Sequence, residues 1–168
     1  IEGIKAKYVR QDDFFEQVKT GKPYPIKAFI KANGNPVHNC PNRSRWVEET
    51  FPHVDLVVEF DIWMTDTGEL ADYVLPDCTS FERMELVAPA CYNHVVLQEP
   101  AIEPLGEARD PSFLWRELSK RVGLGEYFDK TAEDWIAIRI QSPFPMIANI
   151  DPPLTMERLK KEKRVRTA

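Results

Sequence analysis

The chain is poor in cysteine, and its cysteines are badly spaced for chemistry. Cys40, Cys78 and Cys91 are the 3 cysteines in 168 residues. That is an odd number with no C-x-x-C pair, which argues against a disulfide framework and against a zinc site or iron–sulfur cluster built from cysteine within the chain. Each reads as a small, partly buried side chain. Histidine is equally sparse, and His38, His53 and His94 lie too far apart for metal-ligand spacing. Positive charge is in deficit: 22 Lys and Arg against 27 Asp and Glu leave a net charge of −5, which argues against a nucleic-acid binder. No apolar run approaches the roughly 20 residues that cross a bilayer. There is no G-x-S-x-G, no P-loop, no G-x-G-x-x-G and no internal repeat. The chain starts at Ile1 without an initiator Met and carries no signal or transit pattern. It is therefore expected to be an interior fragment of a longer protein, and its compartment stays open.

What is present is an ordinary globular balance, 43% hydrophobic and 29% charged, long enough to bury a core. Asp12–Thr20 sets Phe14, Phe15 and Val18 at helical spacing, with Asp12 as N-cap and Gly21 as terminator. Ile26–Ile30 is a short strand that runs into the loop Asn33-Gly34-Asn35-Pro36. Ser44–Phe51 reads as a helix stopped by Pro52. Val54–Phe60 is the strongest strand, and its Val57-Val58 centre suggests burial on both faces, as in a parallel sheet. Thr65–Asp72 reads as a helix, Tyr73–Leu75 as a strand closed by Pro76, and Tyr92–Gln98 as a further strand. Pro111–Val122 and Ala132–Ile140 are helices, and Thr155–Leu159 opens a last one. Residues 143–153 hold 4 prolines and read as a connector rather than an element. The rhythm predicts an α/β fold: a three-layer, open, mostly parallel, Rossmann-like sheet of four or five strands, with a helical and irregular C-terminal extension. Residues 1–125 form the α/β core and 126–168 a helical connector. A free sheet edge or apolar patch is expected to make the isolated chain self-associate.

In open α/β sheets, ligands bind outside the carboxyl ends of the strands. Two loops qualify, Asn33–Pro36 and Asp61–Thr67. Both follow strands read as parallel neighbours, so both should emerge on one edge, with the Asp61 carboxylate in a shared crevice. A carboxylate suits an edge with two adjacent N–H donors, such as guanine N1 and N2, or a ribose diol. Thr65 sits near a helix start, where backbone N–H groups favour phosphate. The bland reading is that Asp61 or Thr65 merely caps that helix. Glu82-Arg83 is either a solvated ion pair or part of an anion clamp. Asp110, just before Pro111, reads as an N-cap.

Read together, these segments resemble the molybdopterin oxidoreductases of the dimethyl sulfoxide reductase family. The likeness is carried by Ile26–Ile30 leading into Gly34-Asn35-Pro36 and Pro41-Asn42, by Asp61-Ile62-Trp63-Met64-Thr65-Asp66-Thr67 and by Ala71-Asp72-Tyr73-Val74-Leu75-Pro76. It continues through Phe81-Glu82-Arg83, Pro104–Arg109, Arg116-Glu117-Leu118 and Leu154–Lys160. It runs from about Pro23 to Val165, and D-I-W-M-T-x-T followed by A-D-x-V-L-P is its most specific part.

The resemblance implies a large catalytic subunit holding a bis-molybdopterin guanine dinucleotide with molybdenum or tungsten. It also implies a possible iron–sulfur cluster upstream of this stretch and a C-terminal barrel downstream of it. The metal's own protein ligand would lie upstream, so no catalytic or metal-binding residue is assigned here, and the fragment alone is expected to be inactive. Residue by residue, Asp61 matches the family's dinucleotide-contacting aspartate, and Phe60 the position before it, offering only backbone. Asn35 matches the loop asparagine near the same cofactor, and Arg83 a basic position after the L-P segment; Thr65 stays a cofactor-binding candidate from its place near a helix start. Asp110 stands one place early for the family's Arg-Pro-Asp pattern and either touches the nucleotide or caps its helix. Partners implied are the pterin dinucleotide, the remaining domains of the parent chain, an iron–sulfur electron-transfer subunit and a membrane anchor. The other reading is a non-catalytic nucleotide-binding or interaction module of α/β fold. The substrate is not readable from this stretch.

Overall fold

A computed structural model describes residues 10–88, 93–141 and 145–167. It divides into two compact units, one running to Pro76 and one from Asp77 onward.

The first unit is built on three parallel strands in the order β1 (Ala28–Ala32), β2 (Leu56–Asp61), β3 (Tyr73–Pro76). β2 is central, and Val57, Val58, Glu59 and Phe60 are all buried. That is the both-faces burial its unbroken apolar centre predicts. Ahead of β1, α1 (Gln11–Thr20) turns Phe15 and Val18 inward. It ends at Gly21, which takes the left-handed conformation and donates its N–H to Gln17. Arg10, rather than Asp12, occupies the N-cap position, without a side-chain cap.

Between β1 and β2 lie the short α2 (Pro36–Asn39), a π-helical turn over Arg45–Thr50 and a 3-10 turn over Phe51–His53. The sequence predicts an α-helix there. In an α-helix, Trp46 and Phe51 would point about 140° apart at 3.6 residues per turn. The wider π turn brings positions five apart together, and the two rings lie 5.9 Å centre to centre. They join Phe14, Phe15 and Phe29 in an aromatic cluster with Val37 at its base. The Arg45 guanidinium sits 4.5 Å over Phe15 and is tied to Asp12 and Glu16.

The second unit carries a separate antiparallel sheet, β4 (Glu85–Val87), β5 (His94–Gln98), β6 (Arg164–Arg166), with β5 in the middle. The parallel sheet thus has three strands rather than the four or five expected. The strand foreseen at Tyr92–Gln98 belongs elsewhere, its first residue lying outside the described residues. The reason is visible in β5, which buries only alternate residues, Val95 and Leu97. That is the pattern of a sheet with one covered face, whereas β2 is covered on both.

The helices of this unit are α3 (Pro111–Arg121), α4 (Gly125–Phe128), α5 (Ala132–Ile140), α6 (Pro145–Ala148) and α7 (Met156–Glu162), with α3 and α4 packed on each other and α5 and α7 on the sheet. A Thr131/Asp134 capping box starts α5 and Thr155 caps α7. Ile147 and Ile150, from the proline-rich stretch read as a connector, and Leu154 just beyond it are core residues here with Leu86, Val95, Ile136, Leu159 and Val165. The division expected after residue 125 falls inside this unit, at the start of α4. Among the described residues no helix is long and apolar enough to cross a membrane.

Candidate functional site

The carboxyl edge of the parallel sheet is where the sequence places a ligand. β1 and β2 run side by side in the same direction, so the loops after Ala32 and after Asp61 leave from the same edge. Their register sets Lys31 opposite Glu59. Asp61, two residues on, falls on the same face of β2 as Glu59. The Lys31 ammonium lies 2.7 Å from Glu59 Oε1 and 2.5 Å from Asp61 Oδ2. Lys31 is 8% exposed and Glu59 not at all, so two buried charges meet here and a third sits at the rim.

Asp61 accepts four hydrogen bonds, and they are unequal. Its Oδ1 takes the N–H of Ile62 at 2.8 Å and that of Trp63 at 3.4 Å. Its Oδ2 takes Lys31 at 2.5 Å and the N–H of Gly34 at 3.3 Å. Each oxygen therefore has one short contact and one long, weak one. Burial pushes the Asp61 carboxyl up, but the Lys31 hydrogen bond and charge, with the N–H groups of Trp63 and Gly34, outweigh it and hold the group below its ordinary value. The side chains that follow, Ile62, Trp63 and Met64, are exposed.

The neighbouring polar groups tie the two loops together. Asn35 Oδ1 accepts the His38 N–H at 3.3 Å, capping α2, and the Thr67 hydroxyl at 2.8 Å, while its Nδ2 donates to Asp66 at 3.0 Å. Thr67 accepts the Val37 N–H in turn. One asparagine thus ties the β1 loop to the β2 loop. Phe60 buries its ring, and its carbonyl accepts the Asn33 N–H at 3.1 Å. The Thr65 hydroxyl donates to Glu59 at 2.6 Å and accepts from the Gly68 N–H at 3.1 Å. Thr65, not Asp61, therefore accepts from the first residue of the turn that follows, whose N-cap position is Thr67. That turn is a 3-10 helix over Gly68–Leu70 rather than the helix expected over Thr65–Asp72. The hydroxyls and the Asp72 carboxylate, which accepts the Val57 N–H at 2.7 Å, find tertiary partners and leave little to propagate a helix.

In the second unit Arg83 is mostly buried. It donates to Asp77 at 3.3 and 3.4 Å, to the Cys78 carbonyl at 3.3 Å and to Glu85 at 3.4 Å. Glu82 is not its partner, because that carboxylate accepts the N–H groups of Thr79 and Leu105, which hold it below its ordinary value. Asp77 is pushed up to about 6: burial dominates, the Arg83 charge and the Cys78 N–H oppose it, and the Asp110 charge adds to it. Asp110 accepts the Ser112 N–H at 2.7 Å and is the N-cap of α3. Cys78 is buried and Cys40 half-buried beside the aromatic cluster; Cys91 lies outside the described residues.

Lys31 and Glu59 are the residues that sequence reasoning passed over. Their signal was a glutamate in the middle of a strand expected to be buried on both faces, which demands a cationic partner. Elsewhere two apolar hollows lie among the described residues. One of about 310 Å³ is lined by Gln11, Phe14, Phe29, Pro36, Cys40 and Trp46. The other, of about 260 Å³, is lined by Ser112, Trp115, Phe128 and Trp135. Neither touches Asp61. Among the described residues no group of three His, Cys, Asp or Glu side chains is placed to hold a metal ion.

Known proteins resemble this chain in sequence and, for one solved structure, in fold. The chain is 36% identical over 148 residues to the probable oxidoreductase YyaE of Bacillus subtilis, covering 88% of itself and 21% of that protein. It is 41% identical over 111 residues to the thiosulfate reductase molybdopterin-containing subunit PhsA of Salmonella typhimurium, covering 65% of itself and 14% of that subunit. The solved structure of acetylene hydratase from Pelobacter acetylenicus superposes with a TM-score of 0.69 at 29% identity, over 94% of this chain and 20% of that one. The chain thus spans about a fifth or less of the length of these relatives. The family model for molybdopterin oxidoreductases matches residues 3–121, from ahead of α1 through the end of α3 and across the whole carboxyl edge. On that match the chain belongs to the molybdopterin oxidoreductase family, whose cofactor is a molybdopterin with molybdenum or tungsten.

Proposed function

We propose that this chain serves in the catalytic subunit of a molybdenum- or tungsten-dependent oxidoreductase, where it binds one guanine dinucleotide arm of a bis-molybdopterin guanine dinucleotide. The observation that carries this is the Asp61 carboxylate. It is ionised, lies at the carboxyl edge of a parallel sheet, and has one weakly occupied acceptor position on each oxygen. Two adjacent N–H donors on a guanine edge suit those two positions, in exchange for the long contacts to Trp63 and Gly34. Asn35 holds the crevice together, Phe60 supplies backbone, and Thr65 braces Glu59 from below. For the second unit taken by itself, Arg83 is the proposed contact for an anionic group of the cofactor, and Asp110 a weaker candidate because capping already engages it.

When bound, the metal and pterin supply the redox chemistry. The protein's part is to hold the nucleotide. In this reading residues 1–125 belong to the cofactor-binding core and 126–168 lead out of it. The iron–sulfur cluster, its electron-transfer subunit and a membrane anchor belong to the rest of the assembly, and the chain alone has no turnover. β3 is an edge strand of the sheet, with Tyr73 largely exposed, and in isolation this edge is the proposed surface for self-association. A non-catalytic nucleotide-binding or interaction module is not favoured, because the family match covers most of the chain.

The test is Asp61→Asn in the full-length protein. Asparagine keeps one acceptor but sets a donor against a donor, which should cost roughly 1.5–3 kcal/mol of binding. Molybdenum or tungsten content and extractable pterin should fall while the circular dichroism stays unchanged. Full cofactor loading in the variant would sink the assignment.

A further inference from the structure

The Lys31 ammonium makes two short contacts to two carboxylates, and among the described residues neither partner has an equivalent cation. Glu59 is fully buried, and its other close polar neighbour is the uncharged Thr65 hydroxyl. Among the described residues the charged side chain acting on Asp61 is Lys31. Asp66 lies further out in the same loop, bonded to Asn35, with His38 and Arg43 acting on it rather than on Asp61. From β3, the residue paired with Asp61 is Pro76, which carries no charge. Glu59 and Asp61 sit two apart on one face of β2, on either side of one ammonium. Without that ammonium they are two carboxylates sharing one low-dielectric site, and such pairs keep a proton.

We propose that Lys31 is a positioning residue for nucleotide binding: clamped between Glu59 and Asp61, it keeps Asp61 charged and turned so that its two oxygens present to the ligand. This rests on the reading of Asp61 as the guanine contact. Lys31 itself points its charge at carboxylates, not outward, and its Nζ has no need of the ligand. The chemistry it secures is specific, because a protonated Asp61 would offer a donor to a donor edge and lose the pairing that a carboxylate allows.

The experiment uses GMP as the probe, with binding measured by calorimetry between pH 6 and 8 and the Asp61 carboxyl followed by carbon NMR. In the native protein, GMP affinity should change less than about twofold over this range once the phosphate's own second ionisation at about pH 6 is allowed for, since Asp61 stays ionised throughout. In Lys31→Met, affinity should be at least about tenfold weaker at pH 6 than at pH 8, because one carboxylate of the pair now holds a proton. The double variant Lys31→Met/Glu59→Gln removes the competing charge and should recover part of the affinity and flatten the profile. It also serves where the single variant folds poorly. A flat, native-like profile in Lys31→Met overturns the proposal. So does a double variant as weak as the single at every pH, because Lys31 would then act only as structural filling or touch the ligand itself. If the native protein binds no GMP at all, the reading of the site fails by itself. The carboxyl titration still decides Lys31's role, and an Asp61 resonance that titrates identically with and without Lys31 overturns it.

Discussion

Asp61 and Asp77 are both aspartates at the end of a short strand or bridge, both next to a basic side chain, and they titrate in opposite directions. Asp61 is held below its ordinary value and Asp77 is raised to about 6. Burial pushes both up. The difference lies in the cation. Lys31 approaches Asp61 to 2.5 Å, whereas Arg83 stays 3.3 Å from Asp77 and divides its donors among Asp77, Glu85 and a carbonyl. Asp61 also keeps a partly exposed side chain, while that of Asp77 has no exposure. A basic neighbour in the sequence or even in space does not make a carboxylate acidic; a short contact does.

The largest way to break this contrast is to remove the short contact. Lys31→Met leaves Glu59 buried without a counter-charge, and breaking a buried pair from one side costs about 3–5 kcal/mol. Urea denaturation at neutral pH should show that loss, and Glu59→Gln in the same chain should recover most of it. A loss below about 1 kcal/mol would place the pair among inconsequential surface bridges and remove the basis of the contrast.

The next is pH. Folded Asp77 binds its proton more tightly than the unfolded chain does, so stability should rise as pH falls from about 6 toward the ordinary value of 3.8. Above 6 the ionised form carries a penalty on the order of 3 kcal/mol. Asp61 has the reverse sign: its contribution is present above the ordinary value and is lost as pH falls through the lowered one. Asp77→Asn should therefore flatten the stability profile between pH 4 and 6 and leave the acid limb below it in place, as read by thermal denaturation across that range. A native-like slope in the variant would assign the titration to another group.

How much of this was legible beforehand follows from the same residues. The edge itself was readable, because the apolar centre of β2 and the Asn-Gly-Asn-Pro loop after β1 mark parallel strands with loops at one end. The bracing of Asp61 was not, since it depends on register. Lys31 meets Glu59 only because Ala28 aligns with Leu56, and the connection between β1 and β2 does not set that alignment. The antiparallel sheet was half hidden for a related reason. β4 and β6 are three residues each, too short for a periodicity to stand out, and β6 pairs with β5 across more than sixty residues of chain. The π turn was missed because its driving force, the Trp46–Phe51 contact, is tertiary.

A smaller effect sharpens the Glu59 side. Gly68 lies so close to Glu59 Oε2 that a β-carbon there would collide with it, and Met64 Sδ would stand at 3.2 Å. Gly68→Ala must push the glutamate off its hydroxyl and ammonium partners or shift the turn, at about 1–3 kcal/mol. Combining it with Lys31→Met should cost less than the two losses added, because both act through Glu59. Strict additivity in denaturation would mean that the glycine reports on the turn alone.

The smallest expected effect concerns Asp110, and it separates the two roles the sequence left open. Its carboxylate caps α3 through the Ser112 N–H, and its charge adds to the upward push on Asp77. Serine caps nearly as well as aspartate, so Asp110→Ser should change stability by only a few tenths of a kcal/mol, whereas Asp110→Ala should lose about 1 kcal/mol. With the negative charge gone, Asp77 should titrate somewhat lower than about 6 in the serine variant, a shift readable by carboxyl NMR. The cofactor decides the rest. If Asp110 only caps, the serine variant of the full-length protein should load molybdopterin as the native one does. If its carboxylate also touches the nucleotide, loading should fall in both variants alike, because serine replaces the cap and not the charge.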